Sequence, residues 1–230
     1  MKVVRRARES HPVSSGPELA AKLVPVQARA LDTVEIILET AGNILEEVGF
    51  EQLNTNLVAK RAEISIPALY RYFPNKYAIL KALGDRIMRW QDEAVLTWLR
   101  GGGLAVEGTE SRIASVQSIL RHILVLTQAF PGNIAITRAL RSVPAMRASR
   151  LEARGRMTSE LGAVLGDLFP AIPAATLRLS TKLCLELIQA SIDMVLEEPG
   201  PDTEGVLRET ARAFVVYFEN LAEVSASGAS

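Results

Sequence analysis

The side chains best suited to bind a ligand by charge are concentrated in one short segment, residues 54–81. Lys and Arg together number 26 and so do Asp and Glu, so the whole chain carries no net charge. Within this stretch, however, five cations stand against one anion, a local charge of plus four. They are Lys60, Arg61, Arg71, Lys76 and Lys81, against Glu63. Such a patch favours binding to phosphates of a polyanion; the alternative is a set of solvated side chains.

Elsewhere the sequence offers little for catalysis or metal binding. His11, His122 and Cys184 are not spaced as metal ligands. No Gly-x-Ser-x-Gly motif occurs, and no histidine pairs with a nucleophile in a known pattern. The glycines at 101–103 lack the preceding strand and following Lys-Ser/Thr of a phosphate loop. We therefore expect a non-enzyme with neither metal nor cofactor. The competing class is an all-α small-molecule enzyme or carrier.

The basic side chains fall on two short predicted helices joined by a tight turn. Asn54, Thr55 or Asn56 can cap the first helix, and Ser65 can cap the second. Pro67 then lies in the first turn of the second helix, where its missing N–H costs little. This arrangement predicts a helix-turn-helix, whose second helix enters the DNA major groove.

The residues around this motif form a longer pattern between residues 27 and 85. The pattern comprises Val48-Gly49-Phe50, Thr55, Val58-Ala59, Ile64-Ser65, Leu69-Tyr70-Arg71-Tyr72-Phe73, Asn75-Lys76 and Leu80. It closely resembles the amino-terminal domain of the tetracycline-repressor (TetR) family, and its specific part is Leu-Tyr-x-Tyr-Phe-x-x-Lys. The resemblance implies a homodimeric transcriptional regulator that binds a double-stranded DNA operator.

The resemblance also implies roles for individual side chains. Thr55, Tyr70, Tyr72 and Lys76 would contact phosphates, and Lys76 would share its phosphate with the N–H groups at a helix start. The positions that match the base-reading surface are Asn56, Ser65, Ile66, Pro67, Ala68 and Arg71. Arg71 can bind guanine or a phosphate, and Asn56 can pair with adenine. The three residues from Ile66 to Ala68 offer only apolar contacts, so DNA shape would supply part of the specificity.

Two residues depart from the family pattern. Glu63 stands in the turn where the family usually has glycine, so a left-handed backbone there would cost about 1–2 kcal/mol unless the turn adjusts. Tyr77 replaces the acidic residue that usually follows the lysine, which weakens the favourable charge at the helix start. Neither departure touches the expected DNA contacts.

Helical spacing continues through the rest of the chain. Apolar residues at spacings of three and four run from Leu31 to Val48, and that helix should stop at Gly49. Asn75 should cap a long helix that ends at the glycines 101–103. Further helices are expected near residues 113–130, 133–142, 144–168, 174–197 and 203–224. With no alternating strand pattern, the expected fold is all-α with about nine helices.

The expected domains follow from these elements. They are a mobile basic arm at 1–25, a helix-turn-helix domain at 26–75, a helical ligand-binding and dimerisation domain at 76–224 and a tail at 225–230. Cations in the arm could reach a minor groove, or the arm could be a solvated tail. These cations are Lys2, Arg5, Arg6 and Arg8.

The last two predicted helices are apolar on two sides. Leu183, Leu187 and Met194 lie on one stripe of the first, and Phe214 and Phe218 lie on the second. A helix buried on both sides needs a second partner. We expect that partner to be another copy of the chain, in an intermolecular four-helix bundle, and the TetR resemblance implies the same.

A small-molecule effector is the remaining partner that the resemblance implies. It would enter a cavity among the helices of residues 76–197, shift the helix that begins at Lys76 and release the DNA. The expected lining is Trp98, His122, Leu126, Phe130, Met157 and Leu161. His122 is either the polar handle for a mostly apolar ligand or a packed core or edge residue. Repression is the expected mode, with activation as the alternative.

A second basic run lies between residues 138 and 156. It contains Arg138, Arg141, Arg147, Arg150, Arg154 and Arg156 against Glu152 alone. This run is either a solvated helix face or a site for an anionic ligand or DNA backbone. Acidic residues on the last two helices could neutralise it, namely Glu186, Asp193, Glu197 and Glu198.

Overall composition predicts an ordinary globular protein. Hydrophobic residues make up 48% and charged residues 23% of 230 residues. No apolar run reaches the roughly 18 residues of a membrane span, and the basic start lacks the apolar segment of a secretory signal. A single cysteine excludes an internal disulfide. We therefore expect a cytoplasmic protein with no membrane partner.

Overall fold

Helices make up all the regular structure in the described part of the chain. The computed structural model describes residues 16–22, 28–198, 200 and 202–227. Its elements are α1 (Ala28–Gln52), α2 (Thr55–Arg61), α3 (Ile66–Tyr72), α4 (Lys76–Arg100), α5 (Thr109–Gln128), α6 (Asn133–Ser142), a 3₁₀ turn (Pro144–Met146), α7 (Arg147–Leu168), α8 (Ala174–Glu197) and α9 (Thr203–Ser227). The predicted all-α class with about nine helices is confirmed.

The first helix contains the break that its sequence predicts. At Gly49 the backbone leaves the helical region, with φ 73° and ψ 176°. Glycine adopts this conformation without the steric penalty that a side chain would bring. Residues 50–52 continue as a separate short turn, which carries the chain toward the start of α2.

Two hydrophobic cores hold the helices together. The first core joins α1, α2, α3 and the start of α4 to α6 and the 3₁₀ turn, with Met146 fully buried in it. The second joins the end of α4 to α5, α7, α8 and α9. Helix α4 therefore belongs to both cores, and the expected domain boundary after residue 75 does not separate them.

Close backbone approaches fix α6 against α1 and α4. A Cβ atom on Gly42 of α1 would lie 2.8 Å from the carbonyl oxygen of Pro131, just before α6. A Cβ atom on Gly84 of α4 would lie 2.6 Å from Leu140 of α6. Because neither glycine has a side chain, the helices pack more closely than larger residues would allow.

The chain before α1 is packed where it is described. The Lys22 N–H donates to the Tyr72 carbonyl at 2.8 Å, and Asn75 Nδ2 donates to the Glu18 carbonyl at 2.9 Å. Leu19 packs against the first core. Residues 16–22 are thus attached to the helix-turn-helix rather than part of a free arm. The four cations of the predicted arm lie outside the described residues.

The carboxyl end is helical further than expected. Helix α9 runs to Ser227, so residues 225–227 of the predicted tail continue the helix. Among the described residues, no single helix is long and apolar enough to span a membrane. Helices α5 and α6 meet the length and composition criteria only as a pair, and they are bent by 96°.

Candidate nucleic-acid interface and ligand cavities

Three side-chain caps set the ends of the short helices. Asn54 Oδ1 accepts a hydrogen bond from the Leu57 N–H at 2.9 Å, which begins α2. Ser65 Oγ accepts from the Ala68 N–H at 3.2 Å, which begins α3. Asn75 Oδ1 accepts from the N–H groups of residues 77 and 78, which begins α4. Each cap satisfies N–H groups that have no partner within the helix.

The turn between α2 and α3 holds a non-glycine residue in the left-handed region. Glu63 has φ 53°, the only positive φ at a non-glycine residue in the described chain. The turn therefore keeps the geometry that usually takes glycine, at a cost of about 1 kcal/mol. The Ile64 N–H still donates to the Ala59 carbonyl at 3.1 Å, so the turn stays closed.

Helix α3 presents one face to solvent and the other to the first core. Ile66 is 43% exposed and Tyr70 40% exposed, whereas Leu69 is fully buried. Pro67 and Arg71 are also exposed, and Ala68 is half-buried. The exposed face carries Ser65, Ile66, Pro67, Tyr70 and Arg71, and Asn56 of α2 is exposed as well. A surface of this form can lie against the edges of DNA bases.

Of the side chains expected to contact phosphates, Thr55 and Tyr70 lie near the surface, whereas Tyr72 lies in the first core. Thr55 and Tyr70 share a hydrogen bond between their hydroxyl groups at 3.0 Å, which links α2 to α3. Tyr72, by contrast, is 9% exposed and belongs to the first core. Tyr72 lies two residues from Tyr70, so it points to the other side of α3. The phosphate contact that the resemblance implies for Tyr72 stays a prediction, and only the small exposed part of its side chain could make it.

Lys76 has internal partners. Its Nζ donates to the carbonyl oxygens of Phe50 and Glu51, at 3.1 and 3.2 Å. The same ammonium lies 4.5 Å from the centroid of the Phe50 ring. Lys76 therefore ties the start of α4 to the turn that follows α1. A cation at this place is half-buried and already positioned by protein groups.

Salt bridges reduce the charge of the basic patch. Arg61 pairs with Glu47 of α1 at 2.5 Å, and Lys81 pairs with Asp85 at 2.5 Å. The predicted local charge of plus four counted neither acid, because both lie outside residues 54–81. Among the described residues, Lys60 and Arg71 form no such pair, and these two cations stay exposed beside α3.

The sequence of this region matches a known family. Residues 37–83 match the family model described as "Bacterial regulatory proteins, tetR family". This segment of the chain is therefore similar to the tetR family. Its matched segment runs from α1 into α4 and contains the caps, the left-handed turn and the exposed face of α3.

Relatives extend the comparison beyond this segment. Over 61 residues the chain is 43% identical to the HTH-type transcriptional regulator EthR of Mycobacterium tuberculosis, covering 26% of this chain and 28% of EthR. Over 115 residues it is 33% identical to the nucleoid occlusion factor SlmA of Glaesserella parasuis, covering 50% of each. The chain thus spans half or less of the length of these curated relatives.

Solved structures show the same fold over most of the chain. A TetR-family transcriptional regulator from Streptomyces coelicolor matches with a TM-score of 0.55 and 22% identity, over 84% of this chain and 98% of that one. A putative TetR-family regulator from Mesorhizobium loti matches with a TM-score of 0.64 and 13% identity, over 85% and 98%. The chain therefore shares the fold of these structures, including the helices after α4.

An apolar surface runs along α8 and α9. Leu183, Leu187 and Met194 are 51%, 55% and 49% exposed, and they line a cleft of about 690 Å³ between the two helices. Phe214 and Phe218 are 5% and 0% exposed and lie in the second core. The prediction of a dimer interface at Phe218 is corrected, because its ring fills the protomer's own interior, whereas the largely buried Phe214 still borders the cleft.

The residues expected to line one ligand cavity belong to different places. Trp98, His122 and Leu126 line an open groove of about 640 Å³ between α4 and α5, which we call the outer groove. Trp98 also borders an interior cavity of about 80 Å³ with Met157 and Leu161. Phe130 lies in the first core, against the ring of Trp90 at 5.4 Å, and lines neither space. The single predicted cavity is therefore corrected to two spaces that share Trp98.

His122 lies at the surface. Its side chain is exposed at the edge of the outer groove, although its neighbour Ile123 is buried. The interpretation as a packed core residue is therefore wrong. An imidazole at this edge stays accessible to a ligand and to water alike.

A partly buried carboxylate at the interior cavity was missed by the sequence reasoning. Asp92 of α4 borders the cavity beside Arg154, and burial raises the pKa of its carboxyl group to about 6. Asp92 lies three residues before Val95 and seven before Leu99, both in the second core. An acid at helical spacing within an apolar stripe is the sequence signal that could have found it.

The second basic run is neutralised mainly by α8. Arg138 pairs with Glu197 at 2.9 Å, Arg141 with Asp193 at 2.5 Å and Arg154 with Glu186 at 3.3 Å. Arg156 pairs instead with Glu152 of its own helix, at 3.0 Å. The expected neutralisation is confirmed for three of the four acids, and Glu198 is not in these pairs. Most of this run is therefore structural.

Metal or thiol chemistry has little support in the described residues. They contain no group of three His, Cys, Asp or Glu side chains placed to hold a metal ion. Cys184 is buried, and desolvation raises the pKa of its thiol to about 11. A thiol in this state is a weak nucleophile at neutral pH.

Proposed function

We propose that this protein is a sequence-specific DNA-binding transcriptional regulator of the tetR family that represses its target genes. The exposed face of α3, which carries Ile66, Pro67, Tyr70 and Arg71, is the observation that carries this proposal. A rigid helix with its opposite face in the core can enter a major groove without unfolding. Arg71 is free to read guanine or to bind a phosphate. Because the proposed target is chromosomal DNA, we place its action in the cytoplasm.

Phosphate contacts would position this face on the duplex. Thr55 and Tyr70 already hold each other through their hydroxyl groups, so a phosphate would meet a preformed pair. Lys76 would have to share its ammonium between a phosphate and the two carbonyls it now binds. Three N–H donors on one ammonium make such sharing possible. These contacts would add affinity without adding sequence preference.

The proposed regulator acts as a homodimer. Half-exposed Leu183, Leu187 and Met194 form a continuous apolar surface, which a folded monomer rarely leaves open to water. Two copies joined through α8 and α9 would bury this surface and set the distance between two recognition helices. An operator with two half-sites related by a dyad is the expected target.

The proposed effector is small and mostly apolar, and it releases the DNA. Helix α4 supports coupling between the effector site and the helix-turn-helix, because it contributes to both cores and begins directly after α3. Trp98 and Asp92 lie on the same helix as Lys76, so a ligand beside them can displace the link to the DNA-binding unit. An effector that prefers the released form tenfold to a hundredfold supplies about 1.4–2.7 kcal/mol.

Selection from genomic DNA tests this function directly. Purified protein is mixed with fragmented genomic DNA at about 150 mM salt, and the retained fragments are sequenced. We expect enrichment of a small set of sites with a shared dyad motif. Arg71→Ala should abolish or broaden that motif, whereas Lys60→Ala should leave the motif unchanged. Retention without any shared motif would contradict sequence-specific regulation and favour the alternative, a helical enzyme or carrier.

A further inference from the structure

Asp92 lines two separate cavities in the protein. It borders the interior cavity, whose other walls are mostly apolar, including Val95, Trp98 and Ile119. It also borders a polar cleft of about 190 Å³ between α4 and α7. Burial of an acid in such surroundings is unfavourable unless a cation or hydrogen-bond donor reaches it.

The two cations that lower the pKa of Asp92 are paired with other acids. Arg154 pairs with Glu186 and also donates to Gln189 at 3.4 Å, and Arg156 pairs with Glu152. Both guanidinium groups lower the pKa of Asp92, but less than burial raises it. Within the described part of the chain, Asp92 accepts no hydrogen bond and forms no ion pair. Its charge is therefore left without a direct partner.

The residues of the outer groove are of the types that bind organic cations. It contains one acid, Glu93, and the two tryptophans of the chain, Trp90 and Trp98. Tryptophan faces beside a carboxylate attract organic cations. Trp98 and Ile119 line both the groove and the interior cavity, so the two spaces are adjacent. The groove's volume of about 640 Å³ lies within the range of roughly 300–1,000 Å³ for small-molecule sites.

We propose that the ligand of this site is a lipophilic organic cation whose ammonium or amidinium group binds Asp92. Its apolar body lies between Trp98 and Ile119 and extends into the outer groove. An anionic ligand is disfavoured in the interior cavity, because Asp92 lines it and its one lining cation, Arg154, already pairs with Glu186. The chemical class of the ligand rests on the cavities, and its role as an effector rests on the proposed function.

Three probes with one tail and different head groups test the assignment. Decylammonium, decanol and decanoate are titrated into the full-length protein without DNA, and tryptophan emission is followed. Decylammonium should bind about tenfold more tightly than decanol, because a charged hydrogen bond in a buried site is worth that much. Asp92→Asn should remove this advantage and leave decanol binding unchanged. Decanoate should bind most weakly to the wild type.

Two matched variants give the controls. Asp85→Asn removes an acid from the polar cleft that already pairs with Lys81, so it should leave decylammonium affinity unchanged. Glu93→Gln removes the acid of the outer groove and should weaken binding less than Asp92→Asn does. Equal binding of the cation and the alcohol to wild type would overturn the proposal, as would a larger effect at Glu93.

The two proposals fail in different ways. Binding that depends on Asp92 without any loss of operator DNA would leave the ligand assignment intact and remove the effector role. Operator binding that no probe changes, together with equal affinities for all three probes, would overturn the ligand assignment and leave DNA binding intact.

Discussion

Lys76 shows how one side chain can serve both the fold and a proposed DNA contact. Its ammonium holds the carbonyls that follow α1, and the same group lies at the start of α4, where a phosphate could approach. A lysine in this setting is pre-positioned by the protein. Removing it should therefore affect stability as well as binding.

Lys76→Ala should produce two separate losses. The free energy of unfolding should fall by about 1 kcal/mol, because two charged hydrogen bonds to carbonyls disappear from a half-exposed site. The slope of log affinity against log salt should become shallower by about 0.9 if a phosphate contact is lost. Chemical denaturation and titrations from 50 to 200 mM salt measure the two effects. Lys60→Ala is the stability control, and an unchanged slope would remove Lys76 from the DNA contacts.

Glu63 predicts a stabilising substitution. Its φ of 53° costs little in glycine but is unfavourable for residues with a side chain. Glu63→Gly should raise the free energy of unfolding by up to about 1 kcal/mol, less the entropy that glycine adds to the unfolded chain. Glu63→Val should lower it, because β-branched residues tolerate this region poorly. Equal stability of the two variants would contradict a left-handed turn.

Asp92 predicts a pH dependence of stability. Burial raises the pKa of its carboxyl group from 3.8 to about 6 in the folded protein. The folded state therefore binds more protons than the unfolded state between these values, so this contribution to stability is present at low pH and lost as pH rises to about 6. Asp92→Asn should be more stable than wild type at neutral pH, and this difference should shrink below about pH 4. Unfolding curves at several pH values measure it, and a constant difference would contradict the shift.

At the scale of elements, α6 completes the first core by packing on both α1 and α4. The approach of Gly42 to the Pro131 carbonyl leaves no room for a methyl group, and backbone atoms cannot rotate away as a side chain can. Helix α7 offers the opposite case at Gly155, which is exposed in mid-helix with no atom near its Cβ position.

Alanine at the two glycines should have opposite effects. Gly42→Ala should destabilise the protein by about 1–3 kcal/mol, because α1 and the turn before α6 must separate. Gly155→Ala should stabilise it by up to about 1 kcal/mol, because alanine favours the helix and nothing is displaced. Thermal and denaturant unfolding of both variants measure the difference. An unchanged free energy of unfolding for Gly42→Ala would show that α1 and the turn before α6 are not tightly packed.

At the scale of the whole molecule, the exposed apolar surface of α8 and α9 predicts assembly. Leu187 and Val125 are both 55% exposed, but only Leu187 lies on this surface. Leu187→Glu should therefore give a folded monomer, because a buried charge without a partner is costly at an interface. Val125→Glu on α5 should stay dimeric.

Sedimentation velocity at micromolar concentration without DNA measures both outcomes. Phe214→Glu serves as a contrast, since its ring is 5% exposed and the change should unfold the protomer rather than separate two copies. A wild-type protein that sediments as a folded monomer would contradict the dimer. A monomeric Val125→Glu variant would show that the interface extends beyond α8 and α9.

Local features of the helix-turn-helix unit follow from residues that are close together in the sequence. The caps at Ser65 and Asn75, the break at Gly49 and the unusual turn residue Glu63 were all predicted from the sequence. For α2 the sequence left three candidate caps, and the structure selects Asn54. Caps, turns and helix periodicity depend on groups a few residues apart, so their spacing along the chain is also their spacing in space.

Tertiary structure alone decided which surfaces are shared and which are free. Helical spacing showed that α8 and α9 are apolar on two sides, but only packing showed that Phe214 fills the protomer core while Leu187 stays exposed. In the same way, the partners of Lys76 and the isolation of Asp92 depend on residues distant in sequence. Periodicity identifies an apolar face, whereas the neighbour of that face is set by how all the helices pack together.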